Sequence, residues 1–381
     1  MKLAFTVNPK VSVDPVADQV YSNGEVAPVT TFTSPTTSGT IAYDWGIDDT
    51  SIGIPSQTGT GDIPSYTVTN FTTGVKMGNV AVVPTFTYDG TSCVGDTTKF
   101  TITVNPTATV EIVNKNQLLC ANDTTKDIIF KTSAVNGKTK YQWTNNQPTI
   151  GLVASGECDT IYAFKVFNPT DSIIRAEIRV VPIFTYAGVE TPGIPDTAVL
   201  IIYPTAIVNA LASQTHCMGE STNEIQFVSS QKGGTFEYEW FNDNTDVGLS
   251  ATGTGSNIAS FVTKNDTRFP IVANLQVVPT YKTADTICVG DTATMSITVN
   301  PIIKDTIPQL ICYDDIPYTY GNNTNILIAG YYNDTLQTVF GCDSIVTMDL
   351  HITPDPIRNT IPTQMCYGEY FNGVPQYASF N

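Results

Sequence analysis

The chain repeats itself with a period of 97 to 98 residues, and this period constrains its fold more than any other feature. A Tyr-x-Trp triplet occurs three times, with its tryptophans at Trp45, Trp143 and Trp240. A Val-Val-Pro segment follows each triplet, and these segments end at Pro84, Pro182 and Pro279. Both landmarks recur at intervals of 98 and then 97 residues. Self-similarity at a fixed period is the signature of a tandem array, so each repeat is predicted to be one structural unit.

A predicted strand that stops at a proline closes each repeat. The three closing segments are FTITVNP, VLIIYP and MSITVNP, and they end at Pro106, Pro204 and Pro301. Proline has no N–H to donate to a sheet, so it ends a strand. The predicted repeats therefore span residues 10–106 (repeat 1), 107–204 (repeat 2) and 205–301 (repeat 3).

The period changes after repeat 3, and the first residues resemble a closing strand. Asp305-Thr-Ile-Pro and Cys312 recur 54 residues later, as Asn359-Thr-Ile-Pro and Cys366. Residues 302–354 are therefore predicted to be a shorter β unit (the short unit), and residues 355–381 the truncated start of a second one. Residues 1–9 end in Phe-Thr-Val-Asn-Pro and are predicted to be the tail of a preceding repeat.

Apolar and polar residues alternate within the repeats. Ile174, Ala176, Ile178 and Val180 alternate with charged residues, which is the pattern of a strand with one buried face. About seven such strands per repeat, separated by Gly, Asn and Pro turns, predict an all-β chain of tandem immunoglobulin-like sandwiches. The Tyr-x-Trp triplet places both rings on one face, so the three tryptophans are predicted to lie in the core.

Composition and charge exclude several classes of function. The net charge is −17, from 18 basic and 35 acidic residues, which argues against nucleic acid or an anionic membrane as a partner. No apolar run approaches the ~18 residues of a membrane span. A hydrophobic content of 41% is too high for a disordered chain. Only two histidines are present, which leaves little for metal or acid–base chemistry.

The candidate catalytic and metal-binding groups are weak, so no enzyme activity is predicted. His216 adjoins Cys217, but neighbours in a strand point to opposite faces. The carboxylate pairs Asp48-Asp49 and Asp314-Asp315 are candidates for Ca²⁺ or for glycosidase chemistry, with surface solvation as the simpler interpretation. No catalytic, cofactor or metal-binding residue is assigned, and Ca²⁺ remains the one candidate ion.

Eight cysteines fall at positions related to the repeats. Cys217 and Cys288 bracket repeat 3, and Cys312 and Cys342 bracket the short unit, so each pair is predicted to staple its own unit in an oxidising compartment. Cys120 and Cys158 are a third candidate pair, within repeat 2. Cys93 and Cys366 are predicted to be unpaired. Because no Cys-x-x-Cys occurs, a metal site is the less favoured interpretation.

Several stretches resemble a known kind of repeat. Residues 43–69, their copy at 238–263, and the Cys-x-Gly-Asp-Thr segments at Cys93 and Cys288 resemble PKD-like, immunoglobulin-like domains of very large surface proteins in Bacteroidetes. Residues 331–354 resemble a short repeat of surface proteins and type 9 secretion cargo in the same bacteria. The resemblance implies export to the extracellular space or the bacterial cell surface, and a stalk or adhesion role.

Two functions from different classes fit this sequence. The first is a non-enzymatic stalk, spacer or adhesin segment, with glycans or host and cell-surface proteins as candidate partners. The alternative is an array of carbohydrate-binding modules attached to a polysaccharide-degrading enzyme, which requires exposed aromatic residues lined up on one face. The candidates for that face are Tyr331, Tyr332, Tyr367, Tyr370 and Phe371.

A recurrent Asp-Ser/Thr motif resembles the O-glycosylation signal of exported Bacteroidetes proteins. The candidate acceptors are Thr97, Ser172, Thr197, Thr286 and Ser344. The competing interpretation is that Asp suits the turn before a strand and Thr suits the strand itself.

Overall fold

The computed structural model describes residues 6–354, 370–371 and 374–375. Strands contain 51% of the chain and short helical turns 3%, so the predicted all-β class is confirmed. The described residues include no helix long and apolar enough to cross a membrane. Close contacts divide the chain into two compact units. Unit 1 comprises Met1–Asn209, Phe227–Tyr238 and Val278–Ala293, and unit 2 comprises Ala210–Gln226, Glu239–Val277 and Thr294–Asn381.

Repeat 1 has one main sheet and a smaller strand pair. Its strands are β1 (Gln19–Ser22), β2 (Val26–Ala27), β3 (Thr40–Ile47), β4 (Thr58–Thr60), β5 (Tyr66–Thr67), β6 (Lys76–Tyr88), β7 (Thr91–Val94) and β8 (Thr98–Asn105). The sheet order is β1-β8-β6-β3-β4, with β7 on β6, and β2 pairs with β5. The β1–β8 pairing is parallel. Alternate residues of β6 are buried, as a strand with one face on a core requires.

Repeat 2 has the same strand order in its main sheet. Its strands are β9 (Glu111–Val113), β10 (Asn116–Cys120), β11 (Ile128–Lys131), β12 (Lys138–Asn145), β13 (Ser155–Glu157), β14 (Thr160–Ile161), β15 (Ile174–Tyr186), β16 (Val189–Pro192) and β17 (Asp196–Tyr203). The main sheet runs β10-β17-β15-β12-β13, with β16 on β15, and the second sheet runs β14-β11-β9.

The main sheet of repeat 3 has the same strand order as the main sheets of repeats 1 and 2. Repeat 3 has β18 (Gln214–Cys217), β19 (Ile225–Gln226), β20 (Thr235–Asn242), β21 (Thr252–Thr254), β22 (Asn257–Ile258), β23 (Ile271–Lys282), β24 (Ile287–Val289) and β25 (Ala293–Asn300). Its sheets run β18-β25-β23-β20-β21, with β24 on β23, and β19-β22.

The short unit has a three-stranded sheet and a hairpin. Its strands are β26 (Lys304–Ile311), β27 (Tyr318–Tyr320), β28 (Asn323–Ile326), β29 (Gly330–Gln337) and β30 (Asp343–Ile352). The sheet runs β26-β30-β29, and β27 pairs with β28. The β26–β30 pairing is parallel, as β1–β8 is. A last antiparallel pair joins β31 (Tyr370–Phe371) and β32 (Val374–Pro375).

Four short 3-10 turns complete the described elements. They span Thr50–Ile52, Pro148–Ile150, Thr245–Val247 and Tyr313–Asp315. The first three end at glycines with φ near +100°: Gly53, Gly151 and Gly248. Residues with a Cβ rarely adopt this backbone conformation, so glycine suits these positions.

The three tryptophans are buried in equivalent places. Trp45, Trp143 and Trp240 are 5, 5 and 7% exposed. Each is paired across the sheet with a glycine, which is Gly59, Gly156 or Gly253. A Cβ on these glycines would come within 2.3, 2.5 and 2.2 Å of the indole ring. The central glycine of each of these three-residue strands, Thr-Gly-Thr, Ser-Gly-Glu and Thr-Gly-Thr, is therefore needed to make room for the tryptophan.

A hydrogen-bonded asparagine, buried in repeats 1 and 3 and half-buried in repeat 2, recurs in the loop before the long strand. Asn70, Asn168 and Asn265 each donate to two backbone carbonyls, one in the loop and one in the closing strand. Each also accepts from the threonine two residues later. The Asn-x-Thr triplet has the same 98- and 97-residue spacing as the tryptophans, so the period of the sequence contains a signal for this loop that the prediction of strands and turns did not use.

Candidate functional site: the junctions between repeats

Each repeat offers one strand end to its following neighbour. Ser22, Cys120 and Cys217 are the last residues of β1, β10 and β18. They pair in parallel with Asn105, Tyr203 and Asn300 of the closing strands. They are equivalent positions, since they lie 98 and 97 residues apart. We call these residues the strand-end positions.

A carboxylate three residues later fixes the turn after each strand end. The backbone N–H of Ser22 donates to Glu25 at 2.8 Å, that of Cys120 to Asp123 at 2.7 Å, and that of Cys217 to Glu220 at 2.8 Å. In the short unit Cys312 follows β26 and donates in the same way to Asp315, at 3.2 Å. Cys312 is therefore the strand-end position of the short unit.

The other half of each junction is a hairpin in the following unit. Thr191 on β16 pairs with Phe184, and Cys288 on β24 pairs with Tyr281. In the short unit Cys342 ends the turn between β29 and β30. Thr191, Cys288 and Cys342 are 3, 1 and 1% exposed. We call these residues the hairpin positions.

The strand end of one repeat bonds to the hairpin of the next at all three junctions. Ser22 Oγ and Thr191 Oγ1 are hydrogen-bonded at 3.0 Å. Cys120 and Cys288 form a disulfide, as do Cys217 and Cys342, each with Cα atoms 5.6 Å apart. This separation lies within the range that disulfides require. One contact position is thus used three times, once by hydroxyl groups and twice by cysteines.

The predicted pairing of Cys217 with Cys288 is wrong, because Cys217 bonds to Cys342 and Cys288 bonds to Cys120. The equivalent positions of repeat 2 lie at opposite ends of that repeat. Repeat 2 shows the geometry: Cys120 lies beside Tyr203, next to the start of β15, where Ile174 pairs with Ile202. Thr191, the equivalent of Cys288, pairs with Phe184 ten residues along β15. Ten strand residues span about 33 Å, far beyond a disulfide.

The other two predicted pairings are wrong as well. Cys312 follows Ile311, which pairs with the last residue of β30, whereas Cys342 immediately precedes the first. These two cysteines therefore lie at opposite ends of β30. Cys120 bonds to Cys288, so it does not pair with Cys158. Cys158 is a free thiol whose sulfur lies 3.3 Å from Trp143 Nε1.

Cys93 and Cys366 are the two cysteines that were predicted to be unpaired. Cys93 is a free, half-buried thiol, and Cys312 is a free, exposed one. Cys366 lies outside the described residues.

A second contact pins each junction at another point. Between repeats 2 and 1, the backbone N–H of Val135 donates to the Thr73 carbonyl at 2.8 Å. Between repeats 3 and 2, the backbone N–H of Lys232, the equivalent of Val135, donates to the Asp171 carbonyl at 2.8 Å. At the third junction Arg268, the equivalent of Asp171, forms a bidentate pair with Asp305 at 2.6 and 3.2 Å. Two separated attachment points restrain both bending and rotation between neighbours.

Amide hydrogen bonds and an aromatic pair also lie at the junctions. Asn105 donates to Thr191 at 3.1 Å, and Asn300 donates to the Phe340 carbonyl at 3.3 Å. The rings of Tyr203 and Tyr281 lie 6.2 Å apart at the middle junction, a spacing typical of packed aromatic pairs.

The surface beside the third junction is concave. It forms an open pocket of about 420 Å³. Met218, Asn265 and Ile303 are among its lining residues. The Arg268 guanidinium in its wall is already paired with Asp305, so it is not free to bind an anion there.

The predicted carboxylate candidates serve the turns. Asp48 accepts from the backbone and side chain of Asn79 at 2.7 Å each, and these bonds lower the pKa of Asp48. Asp243 accepts from Asn274 in the same way. Asp49 caps the 3-10 turn through Ser51, and Asp315 bonds to Cys312. Among the residues that the structure describes, no group of three or more His, Cys, Asp or Glu could hold a metal ion.

The histidine and aromatic candidates are not brought together. His216 bonds to Gln214 at 2.9 Å, and Cys217 is in a disulfide, so no Cys–His dyad forms. Tyr331 is 72% exposed, whereas Tyr332 packs on the core of the short unit. These two rings therefore do not form a row, and Tyr367 and the side chains of Tyr370 and Phe371 lie outside the described residues.

The candidate acceptors for O-glycans differ in exposure. Thr97 is exposed, and Ser172, Thr197 and Thr286 are half-buried. Ser344 is 4% exposed, and its hydroxyl accepts from the backbone N–H of Ile303 at 3.1 Å. Ser344 is therefore the one candidate acceptor that is buried in the folded unit.

Comparisons with known proteins give no match to a family model or to a curated protein. Among solved structures, three N-terminal domains of the bacteriophage RB49 outer capsid protein Hoc match with a TM-score of 0.31 and 14% identity, over 77% of this chain and 99% of that one. Repeats 22–24 of mouse cadherin-23 match with a TM-score of 0.30 and 10% identity, over 77% and 100%. The human desmocollin-1 ectodomain matches with a TM-score of 0.27 and 9% identity, over 89% and 80%. At this level of similarity, the architecture rests on the strands of this chain itself.

Proposed function

We propose that this chain is a non-enzymatic spacer segment of an extracellular protein, with repeats 1 to 3 and the short unit as its structural units. The observation that carries the proposal is the repeated junction. Three successive junctions use the same strand-end and hairpin positions, and two of them are covalent. Bonding at the same position in three successive junctions suits the chain to holding neighbouring units in a fixed relation.

Two further features support an extracellular setting. Disulfides persist in oxidising compartments and are rare in the cytosol. The resemblance to PKD-like surface domains supports a bacterial cell surface, with an adhesive role open to the exposed loops. O-glycosylation at Thr97, where the acceptor is exposed, fits the same setting.

Force spectroscopy on the whole chain, held at its two ends, tests the spacer function. Cys120 and Cys288 are 168 residues apart, so this disulfide removes that length from the path that bears the load. At about 3.3–3.6 Å per extended residue, reduction should lengthen the fully stretched chain by about 550–600 Å. Equal stretched lengths before and after reduction would show that the covalent junctions are not formed and would defeat the proposal.

A matched variant separates the two disulfides. With Cys120 and Cys288 both replaced by Ser, only the Cys217–Cys342 bond remains, and its cysteines are 125 residues apart. Reduction of this variant should lengthen the chain by about 410–450 Å.

The carbohydrate-binding alternative is tested with a glycan array. We expect no glycan-dependent signal from the oxidised chain. Of the candidate aromatic residues whose side chains the structure describes, Tyr331 is well exposed, but Tyr332 packs on the core of the short unit, so the two form no exposed row. A signal that Tyr331→Ala abolishes would favour the alternative.

A further inference from the structure

Cys93 occupies the hairpin position of repeat 1. It pairs with Phe86 on β6, as Thr191 pairs with Phe184 and Cys288 with Tyr281. The three hairpin residues lie 98 and 97 residues apart, which is the period of the array.

The hairpin around Cys93 already has the shape of the bonded ones. The N–H of Gly95 donates to the Pro84 carbonyl at 2.8 Å, and the equivalent bonds of Gly193 and Gly290 are 2.7 and 2.8 Å. A Cβ on Gly95 would come within 2.1 Å of the Val11 carbonyl oxygen, and the corresponding distances at Gly193 and Gly290 are 2.1 and 1.9 Å. The backbone of the hairpin is thus the same with or without a neighbour bonded to it.

The three hairpin residues differ in their exposure to solvent. Thr191 and Cys288 are 3% and 1% exposed, because the strand end of another repeat lies on them. Cys93 is half-buried and its thiol is free. It therefore has the position and backbone of a junction cysteine without the partner.

We propose that Cys93 is a covalent docking site for another β-sandwich unit of this repeat type, one that presents a cysteine at its strand-end position as Cys120 and Cys217 do. The inference goes beyond the spacer function, since it holds equally for an adhesin.

The bond forms by thiol–disulfide exchange with a small disulfide such as oxidised glutathione. One cysteine thiolate attacks the oxidant and forms a mixed disulfide, and the thiolate of the other cysteine then displaces the second glutathione. Two thiols lose two protons and two electrons, and one oxidised glutathione leaves as two reduced molecules.

The test adds a strand-end cysteine in front of repeat 1. A second copy of residues 107–204 is fused directly to residues 10–381, so that its Cys120 precedes repeat 1. Cys93 lies 84 residues after Pro9, as Cys288 lies 84 residues after Pro204, so the fusion restores the native separation of 168 residues. The protein is oxidised in a glutathione buffer, alkylated, and mapped without reduction.

We expect a peptide that links Cys93 to the Cys120 of the added copy, and loss of alkylation at Cys93. The control carries Cys120→Ser in the added copy only, and Cys93 should then alkylate fully. A second fusion uses residues 205–301, which place Cys217 the same 84 residues before Pro301. The proposal is overturned if Cys93 alkylates fully in both fusions while Cys120–Cys288 and Cys217–Cys342 remain intact in the same molecules.

A variant of the unextended chain tests the positional equivalence independently. Ser22→Cys combined with Thr191→Cys should form a disulfide where the two hydroxyl oxygens now lie 3.0 Å apart. Two free thiols in this double variant would show that the hydroxyl and cysteine junctions are not equivalent, and the argument for Cys93 would fail with them.

Discussion

At the scale of single residues, equivalent positions of the repeats make the same contacts with different side chains. The position of Asp48 is Asn146 in repeat 2 and Asp243 in repeat 3, and all three accept from a backbone N–H of the long strand. The position of Tyr66 is Phe164 in repeat 2 and Phe261 in repeat 3. Such differences between copies are internal controls, because each repeat shows which substitution its neighbours tolerate.

Tyr66→Phe should stabilise repeat 1 by about 1 kcal/mol. The Tyr66 hydroxyl is buried without a hydrogen-bond partner, and burial raises the pKa of this group to about 12. A buried polar group without a partner costs roughly 1–3 kcal/mol, and the phenyl ring retains the packing. Urea denaturation followed by hydrogen exchange of repeat 1 peptides measures the change. A loss of stability would mean that the hydroxyl has a partner in solution.

Asp243→Asn should reduce the acid sensitivity of repeat 3. Hydrogen bonds from Asn274 lower the pKa of Asp243 below its ordinary value. The folded state therefore binds the proton less tightly than the unfolded state. The stability from this carboxylate is present above its unfolded pKa of about 3.9 and is lost as the pH falls through the folded value.

Hydrogen exchange of the Asn274 amide between pH 5 and 2 measures this effect, with rates corrected for the pH dependence of intrinsic exchange. Protection should fall more steeply in the native chain than in the variant, which resembles repeat 2 with its Asn146. Asp285→Asn, in a hairpin of the same repeat, should leave the profile unchanged. Parallel profiles for the native chain and Asp243→Asn would contradict the prediction.

At the scale of elements, the strand pattern was predictable and the glycine opposite each tryptophan was not. Alternation in segments such as 174–180 predicts strands because a strand has a side-chain period of two. The Thr-Gly-Thr segments contain a glycine in a short polar run, which usually indicates a turn. They are strands, β4 and β21, and the close approach of the indole ring explains their glycines.

Gly59→Ala should destabilise repeat 1 by about 1–3 kcal/mol, the usual cost of overpacking a core. The new methyl group would lie 2.3 Å from the Trp45 ring. Gly46→Ala is the matched control on the adjacent strand, because its nearest neighbour would be 3.7 Å away, which is ordinary contact. Chemical denaturation of the two variants compares them, and equal stabilities would exclude a steric role for Gly59.

The cysteine pairing failed at this same scale for a geometric reason. The prediction assumed that two cysteines bracketing one unit share a rim of its sandwich. The strand end and the hairpin instead lie at the two ends of the long strand. The period contained a signal for the correct answer, since Cys120 and Cys217 occupy one repeat position and Cys93 and Cys288 another. Pairing between repeats, however, depends on how the units meet, which no pattern within one repeat encodes.

At the scale of the whole molecule, the disulfides link repeats 2 and 3 and the short unit, whereas repeat 1 is joined by hydrogen bonds. The two covalent junctions and the noncovalent one should respond differently to reductant. Closing a loop of 168 residues reduces the entropy of the unfolded chain by an amount worth roughly 5 kcal/mol at 25 °C.

Reduction should therefore lower the unfolding temperature of repeats 2 and 3 and of the short unit, and leave that of repeat 1 nearly unchanged. Scanning calorimetry with and without a phosphine reductant measures the transitions, and hydrogen exchange assigns them to repeats. A chain with Ser at Cys120, Cys217, Cys288 and Cys342 should match the reduced protein and be insensitive to reductant. A fall for repeat 1 equal to that of the others would contradict the prediction.

The two disulfides also overlap in sequence, because Cys217 lies between Cys120 and Cys288, and Cys288 lies between Cys217 and Cys342. Every peptide bond from residue 120 to residue 342 is therefore enclosed by at least one covalent loop. A protease that cuts this stretch once releases nothing, since both products remain tethered through sulfur. For a protein exposed to the proteases of its surroundings, a single cleavage would leave everything beyond the cut still attached. A nicked chain should accordingly run as one band on a nonreducing gel and as two after reduction.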